Sequence, residues 1–159
     1  MKYINCIGLE FNLYCSPSLK SIGTIEGTPF LNTRLNEYYN PLVDYFIMLD
    51  YYYIGNILNI NLDENGYLQN KYLFANPNNI DGWLWFIDKQ IFSKSNEDYY
   101  GDNVCVFFKE NKVKLINYRD YEAGKNNYCE LTVDELRKLT IEWKWFVIEW
   151  ERQKFLMKK

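Results

Sequence analysis

Residues 131–157, LTVDELRKLTIEWKWFVIEWERQKFLM, decide how this chain folds. Thr132 stands as an N-cap, Glu135 follows three residues later to close a capping box, and Leu131 is placed to staple against Leu136. Asp134 and Glu135 lie at the positive end of the helix dipole, with Lys158 and Lys159 just past its negative end. The stretch therefore predicts a long C-terminal helix. At about 100° per residue, Val133, Leu136, Leu139, Trp143, Phe146, Val147, Trp150 and Met157 share one broad apolar stripe, which needs a core. Ile141, Trp145 and Ile148 form a narrower stripe on nearly the opposite side. A helix that is apolar on two sides is either sandwiched within its own domain or offers one side to a partner.

Working outward from this helix, 119–130 reads as a loop around Gly124-Lys125-Asn126-Asn127. Val104 to Phe108 and Val113 to Tyr118 read as a hairpin joined by Lys109-Glu110-Asn111-Lys112, and the polar stretch 93–103 as surface loop. Asp81 is placed to cap a short helix that carries Trp83, Phe86, Ile87 and Ile91 inward. Leu58, Ile60 and Leu62 alternate up to Asn65-Gly66, and a hairpin returns through Tyr67 to Phe74. Asn40, Pro41 and Gly55 frame a helix with Leu42, Tyr45, Phe46, Leu49 and Tyr53 on one face, although residues 41–54 are aromatic enough to be a strand. Ile7, Leu9, Phe11 and Leu13 alternate through a strand from Cys6 to Tyr14, and 16–33 reads as loop with a short strand at Ile22 to Ile25. The sum is a single α+β domain over 1–159: a mostly antiparallel sheet with hairpins, packed by the long C-terminal helix and one or two shorter helices.

A length of 159 residues with 48% hydrophobic content can bury a sizeable core without metal or disulfide staples. Cys6, Cys15, Cys105 and Cys129 contain no CxxC pair and are expected as reduced thiols. No apolar run approaches the roughly 20 residues that span a bilayer, and no basic-then-apolar leader opens the sequence, so a cytoplasmic protein is expected. The net charge of −3 argues against nucleic-acid binding, which needs a basic surface. Residues 1–64 hold 3 basic and 7 acidic side chains, whereas 132–159 hold 7 and 5, so the front of the chain is its acidic part.

With no histidine, imidazole-dependent catalysis and the usual zinc hydrolase sites are absent, and no phosphate-cradling glycine loop occurs. What remains for an enzyme is carboxylate chemistry. Asp102 with Glu110 and Lys112 has the letters of a metal-dependent nuclease site, but this acid-x-Lys triplet falls on a hairpin turn rather than within a strand. Binding is better served. Two clusters combine acid with tyrosine: Asp44, Tyr45, Asp50, Tyr51, Tyr52 and Tyr53, then Glu97, Asp98, Tyr99, Tyr100 and Asp102. The loop Asp120, Tyr121, Glu122 is a third. Tyrosine gives rigid contact area and carboxylates steer a basic partner, which makes Asp50, Tyr52, Glu97, Asp98, Tyr100 and Asp102 the expected contact residues.

A small histidine-free α+β chain with such clusters, and with Glu130-Leu131-Thr132-x-x-Glu135-Leu136-x-x-Leu139 leading into a Trp-bearing helix, resembles the immunity proteins of bacterial polymorphic toxin and contact-dependent growth inhibition systems. The resemblance implies a non-catalytic protein, without cofactor, that binds a cognate toxin domain, often a nuclease, and blocks its active site or a nearby surface. Two alternatives stand beside it: the metal-dependent nuclease, and an interaction protein that forms a homodimer through Ile141, Trp145 and Ile148.

Overall fold

The structure, a computed structural model, describes residues 2–14, 28–49, 80–94 and 96–157. Several expectations lie outside these residues: Asp50, Tyr52, Tyr53 and Gly55, the short strand at 22–25, the hairpin of 58–74, and Lys158 and Lys159. Among the described residues the fold is α+β, with two antiparallel sheets. Strands β1 (Lys2–Ile4), β2 (Glu10–Tyr14) and β3 (Thr28–Asn32) form one sheet in that order. Strands β4 (Asp98–Tyr100), β5 (Val104–Lys109), β6 (Lys112–Asn117) and β7 (Tyr128–Thr132) form the other, also in chain order. The helices are α1 (Asn40–Met48), α2 (Ile80–Ser93), the short α3 (Tyr118–Glu122) and α4 (Val133–Met157).

The capping box of α4 forms as the spacing predicts. The Thr132 hydroxyl accepts from the Glu135 amide at 3.0 Å, and the Glu135 carboxylate accepts from the Thr132 amide at 2.9 Å. Val133, Leu136, Leu139, Trp143, Phe146, Val147 and Trp150 are all buried. Trp143 and Phe46 meet at 4.8 Å between ring centroids, and Phe11 of β2 reaches each of them at 5.2 Å. Tyr45 continues the cluster to Trp83 on α2, which meets Tyr99 of β4 at 5.1 Å. Each buried aromatic is worth roughly 2–3 kcal/mol of transfer free energy, so this chain of rings binds both sheets to the helices. On the second stripe of α4, Ile141 and Ile148 pack partly against the same core, and only Trp145 is left half exposed.

Polar contacts set the helix registers. The Thr140 hydroxyl donates to the Leu136 carbonyl at 2.7 Å, which makes the buried Tyr45 hydroxyl the donor to Thr140 Oγ1, also at 2.7 Å. Asp81 and Asp88, seven residues apart on α2, pair with Lys144 and Arg137, seven residues apart in the reverse sense on α4. This ladder fixes the two helices antiparallel. The first rung is buried, with Asp81 1% and Lys144 3% exposed at 2.8 Å.

Several sequence expectations are corrected. Asp81 is not a cap but a buried ion-pair member inside α2, and Ile91 lies exposed rather than inward. The strand expected from Cys6 begins only at Glu10. Residues 5–8 turn, because the buried Asn5 side chain accepts from the Ile7 and Leu9 amides and Gly8 takes φ +80°. Thr28–Asn32, expected as loop, is a strand that lies at one end of its sheet among the described residues, with Pro29 opposite Leu13. Residues 98–100 and 128–130, expected as loop, belong to strands, the second of which runs on through Thr132. For 41–54 the helix alternative holds over Asn40–Met48, with Leu49 already extended.

Candidate functional site

In the four-stranded sheet, strand alternation sorts the side chains into two faces. Val104, Val106, Phe108, Val113, Leu115, Cys129 and Leu131 face the helices and are buried. The other set faces away from them. In register it reads Asp98, Phe107, Lys114, Glu130 across one row and Tyr100, Cys105, Ile116, Tyr128 across the next.

On this outer face Tyr100 meets Phe107 at 5.5 Å and Tyr121 at 5.6 Å, and Phe107 meets Tyr121 at 5.7 Å. Tyr121 arrives from α3, whose placement follows from Asn117. That side chain caps α3 by accepting from the Arg119 amide at 2.9 Å, and its amide donates to Asp44 at 2.8 Å. Gly124, at φ +69°, then turns the chain away. Tyr100 arrives through Gly101, whose amide donates to Val104 O at 3.1 Å. A Cβ on Gly101 would lie 2.9 Å from Val104 O and 2.7 Å from the Tyr99 ring, so the turn that delivers β4 tolerates no side chain there.

The resulting triangle stays open: Tyr100 is 56% and Tyr121 41% exposed. Around it stand the exposed carboxylates of Asp98, Asp102 and Glu122, and Asp98 and Asp102 have no ion-pair partner among the described residues. Glu122 accepts from the Tyr118 hydroxyl. The hydrogen bond with Tyr121 raises the Tyr100 phenol above its ordinary pKa. Burial raises the Asp44 carboxyl, the Asn117 amide opposes this, and the charge of Asp120 adds to the rise. Cations are present as well. Lys114 lies over the Tyr128 ring at 4.6 Å, and Arg119 is exposed on α3.

The structure thus joins two clusters that the sequence shows apart, since Tyr100 of the second touches Tyr121 of the third. Asp98, Tyr100 and Asp102 are on or beside this face. Glu97 is not: its carboxylate pairs with Lys89 of α2 at 2.8 Å, and its amide donates to Gln90. Of the first cluster, Tyr45 is buried in the core, and Asp44 stands beside Asn117 and α3. Phe107 was not singled out, although the alternation of Val106, Phe107 and Phe108 places it opposite its neighbours.

Asp102 and Glu110 lie beyond opposite ends of β5, eight positions apart along largely extended chain, or roughly 25 Å. Glu110 is an exposed turn residue at φ +56°, and Lys112 is exposed. The geometry does not gather these three around one ion. Among the described residues no three metal-ligating side chains converge, and no helix is long and apolar enough to cross a membrane. Comparison with protein-family models, curated proteins and solved structures gives no match.

Proposed function

We propose that this chain is a non-catalytic immunity protein of a bacterial toxin system, acting in the cytoplasm by binding a cognate toxin domain and covering its active site or an adjacent surface. One observation carries the proposal: the open Tyr100, Phe107, Tyr121 triangle bordered by the exposed carboxylates of Asp98 and Asp102. Exposed aromatics held by a rigid sheet offer apolar contact at small entropic cost, and border carboxylates accelerate and orient docking of a basic surface. A basic surface is what a nuclease domain presents to nucleic acid.

The test is growth rescue. The C-terminal domain encoded by the neighbouring gene is expressed alone, with this chain, and with its Asp98→Lys, Asp102→Lys double variant. The wild-type chain is expected to restore growth, and the double variant to bind about tenfold or more weakly. Failure of the wild-type chain to protect cells from a domain that arrests growth would refute the immunity reading. Undiminished binding by the double variant would remove the interface from this face.

A further inference from the structure

The four-stranded sheet ends differently at its two sides. In antiparallel pairing the residues alternate, one turning its N–H and C=O toward the neighbouring strand and the next turning both away. The Gly101 amide donates to Val104 O at 3.1 Å, so the bonded pairs of β4 and β5 include Tyr99 with Val106. Asp98 and Tyr100 therefore turn their main-chain groups away from β5. At the other side, the Val133 amide donates to Asn111 O at 3.0 Å, which puts Leu131 and Cys129 in the bonded set and turns Tyr128, Glu130 and Thr132 away from β6.

The outward amides of β7 are all taken within the chain. That of Tyr128 donates to Asn126 O at 3.1 Å, that of Glu130 to the Tyr38 hydroxyl at 3.0 Å, and that of Thr132 to the Glu135 carboxylate at 2.9 Å. The β4 side has no counterpart to this arrangement. Among the described residues, the outward amides and carbonyls of Asp98 and Tyr100 meet no hydrogen-bond partner, and both residues are exposed. Two residues offer two donors and two acceptors at strand spacing. What matches that set is the main chain of another extended segment.

We infer that the toxin domain docks by adding one of its strands to β4, hydrogen-bonded to the main chain of Asp98 and Tyr100. This deepens the immunity reading and rests on it. Side-chain charge does not choose the occupant, since Lys109 of β5 and Lys114 of β6 alternate onto the same face as Asp98. The main-chain groups do. An added strand would also be continuous with the aromatic face, because Asp98 and Tyr100 set their side chains on that face and their main chain along its edge. A second copy of this chain fits less well. Every antiparallel register that joins the outward groups of two β4 strands sets Asp98 opposite or diagonal to Asp98 or Asp102 of the second copy, and like charges so placed oppose pairing.

The test is amide exchange on the 15N-labelled chain, alone and bound to the C-terminal domain of the neighbouring gene used for growth rescue. In the dilute free chain the Asp98 and Tyr100 amides should exchange at least about tenfold faster than those of Tyr99 and Glu130. In the complex they should slow by at least about tenfold, while Tyr99 changes little. Asp98→Pro removes the outward amide, whereas Asp98→Ala removes the carboxylate and keeps the amide, so the proline variant should bind about tenfold more weakly than the alanine one. Because that amide makes no ladder bond to β5, the two variants should share one urea midpoint. Slow exchange at both amides in the dilute free chain would show the edge covered by the chain itself, and slowing with concentration would show a second copy there; either overturns the inference. Binding without protection of these amides, or equal binding by the two variants, would overturn it and leave the immunity reading standing. No binding of the domain would sink that reading and this mode of docking together.

Discussion

Replacing Lys144 by Met removes the ammonium from a rung whose two side chains are almost wholly out of water. The attraction between the two charges is offset largely by the cost of burying both, so the intact pair adds little net stability. Losing one partner is different. The Asp81 carboxylate, 1% exposed, would stay in the core without the Lys144 ammonium 2.8 Å away, a change that costs about 3–5 kcal/mol. Against the 5–15 kcal/mol typical of a folded domain, that is a large share. With a urea m-value of about 2 kcal/mol/M, the unfolding midpoint should fall by roughly 2 M. The double variant Asp81→Leu, Lys144→Met fills the same space without charge and should recover to within about 1 kcal/mol of wild type. The Asp88–Arg137 rung is a built-in control. Its side chains are 19% and 34% exposed, and Arg137→Met should cost about 1 kcal/mol or less. Urea titrations followed by tryptophan fluorescence and circular dichroism would measure all four proteins. A Lys144→Met cost no larger than that of Arg137→Met, or a double variant as damaged as the single one, would refute the reasoning.

Further expectations follow from other contacts. Thr132→Ala breaks the capping box and should cost about 1 kcal/mol in the same titration; no change would mean that α4 does not depend on its cap. Tyr45→Phe deletes the buried hydroxyl that donates to Thr140 and should cost about 1 kcal/mol, with Tm as the check. Burial pushes the Cys129 thiol up to about 12, so iodoacetamide should label it at neutral pH only as fast as the protein unfolds, and equal labelling with and without urea would contradict this. Burial raises Asp44 above its unfolded value, so the native state holds that proton more tightly. The contribution of Asp44 to stability is therefore present below the unfolded aspartate pKa and is lost as pH rises through the raised folded value. Asp44→Asn should flatten that part of the Tm-against-pH profile, and an unchanged profile would contradict the assignment.

What could be read from the sequence, and what could not, divides along the range of the interactions. The α4 helix was legible because its cap, dipole charges and apolar period are all local and agree. The β5–β6 hairpin was legible for the same reason. Strands β4 and β7 were missed because three and five residues, mixed with Asp, Glu and Thr, alternate too briefly to stand out, and their pairing partners supply the order. Asp81 was misread because aspartate before an apolar run ordinarily caps a helix. Its charge is met by Lys144, 63 residues away, and no local pattern announces that partner. The candidate site was half legible. The acid and tyrosine composition of 97–102 and 120–122 was visible, but their meeting over Phe107 depends on the Asn117 cap and the β4–β5 register. Glu97, one residue from Asp98, is drawn away to Lys89, a distinction that composition cannot make.

The most direct test of the central claim, that the outer face of β4 and β5 with α3 is where a toxin domain docks, is a hydrogen-exchange footprint. The chain would be compared free and in complex with the toxin domain whose growth arrest it relieves. The account predicts slower amide exchange over 98–102 and 118–122 in the complex. Unchanged exchange there, with protection confined to other segments, would contradict it.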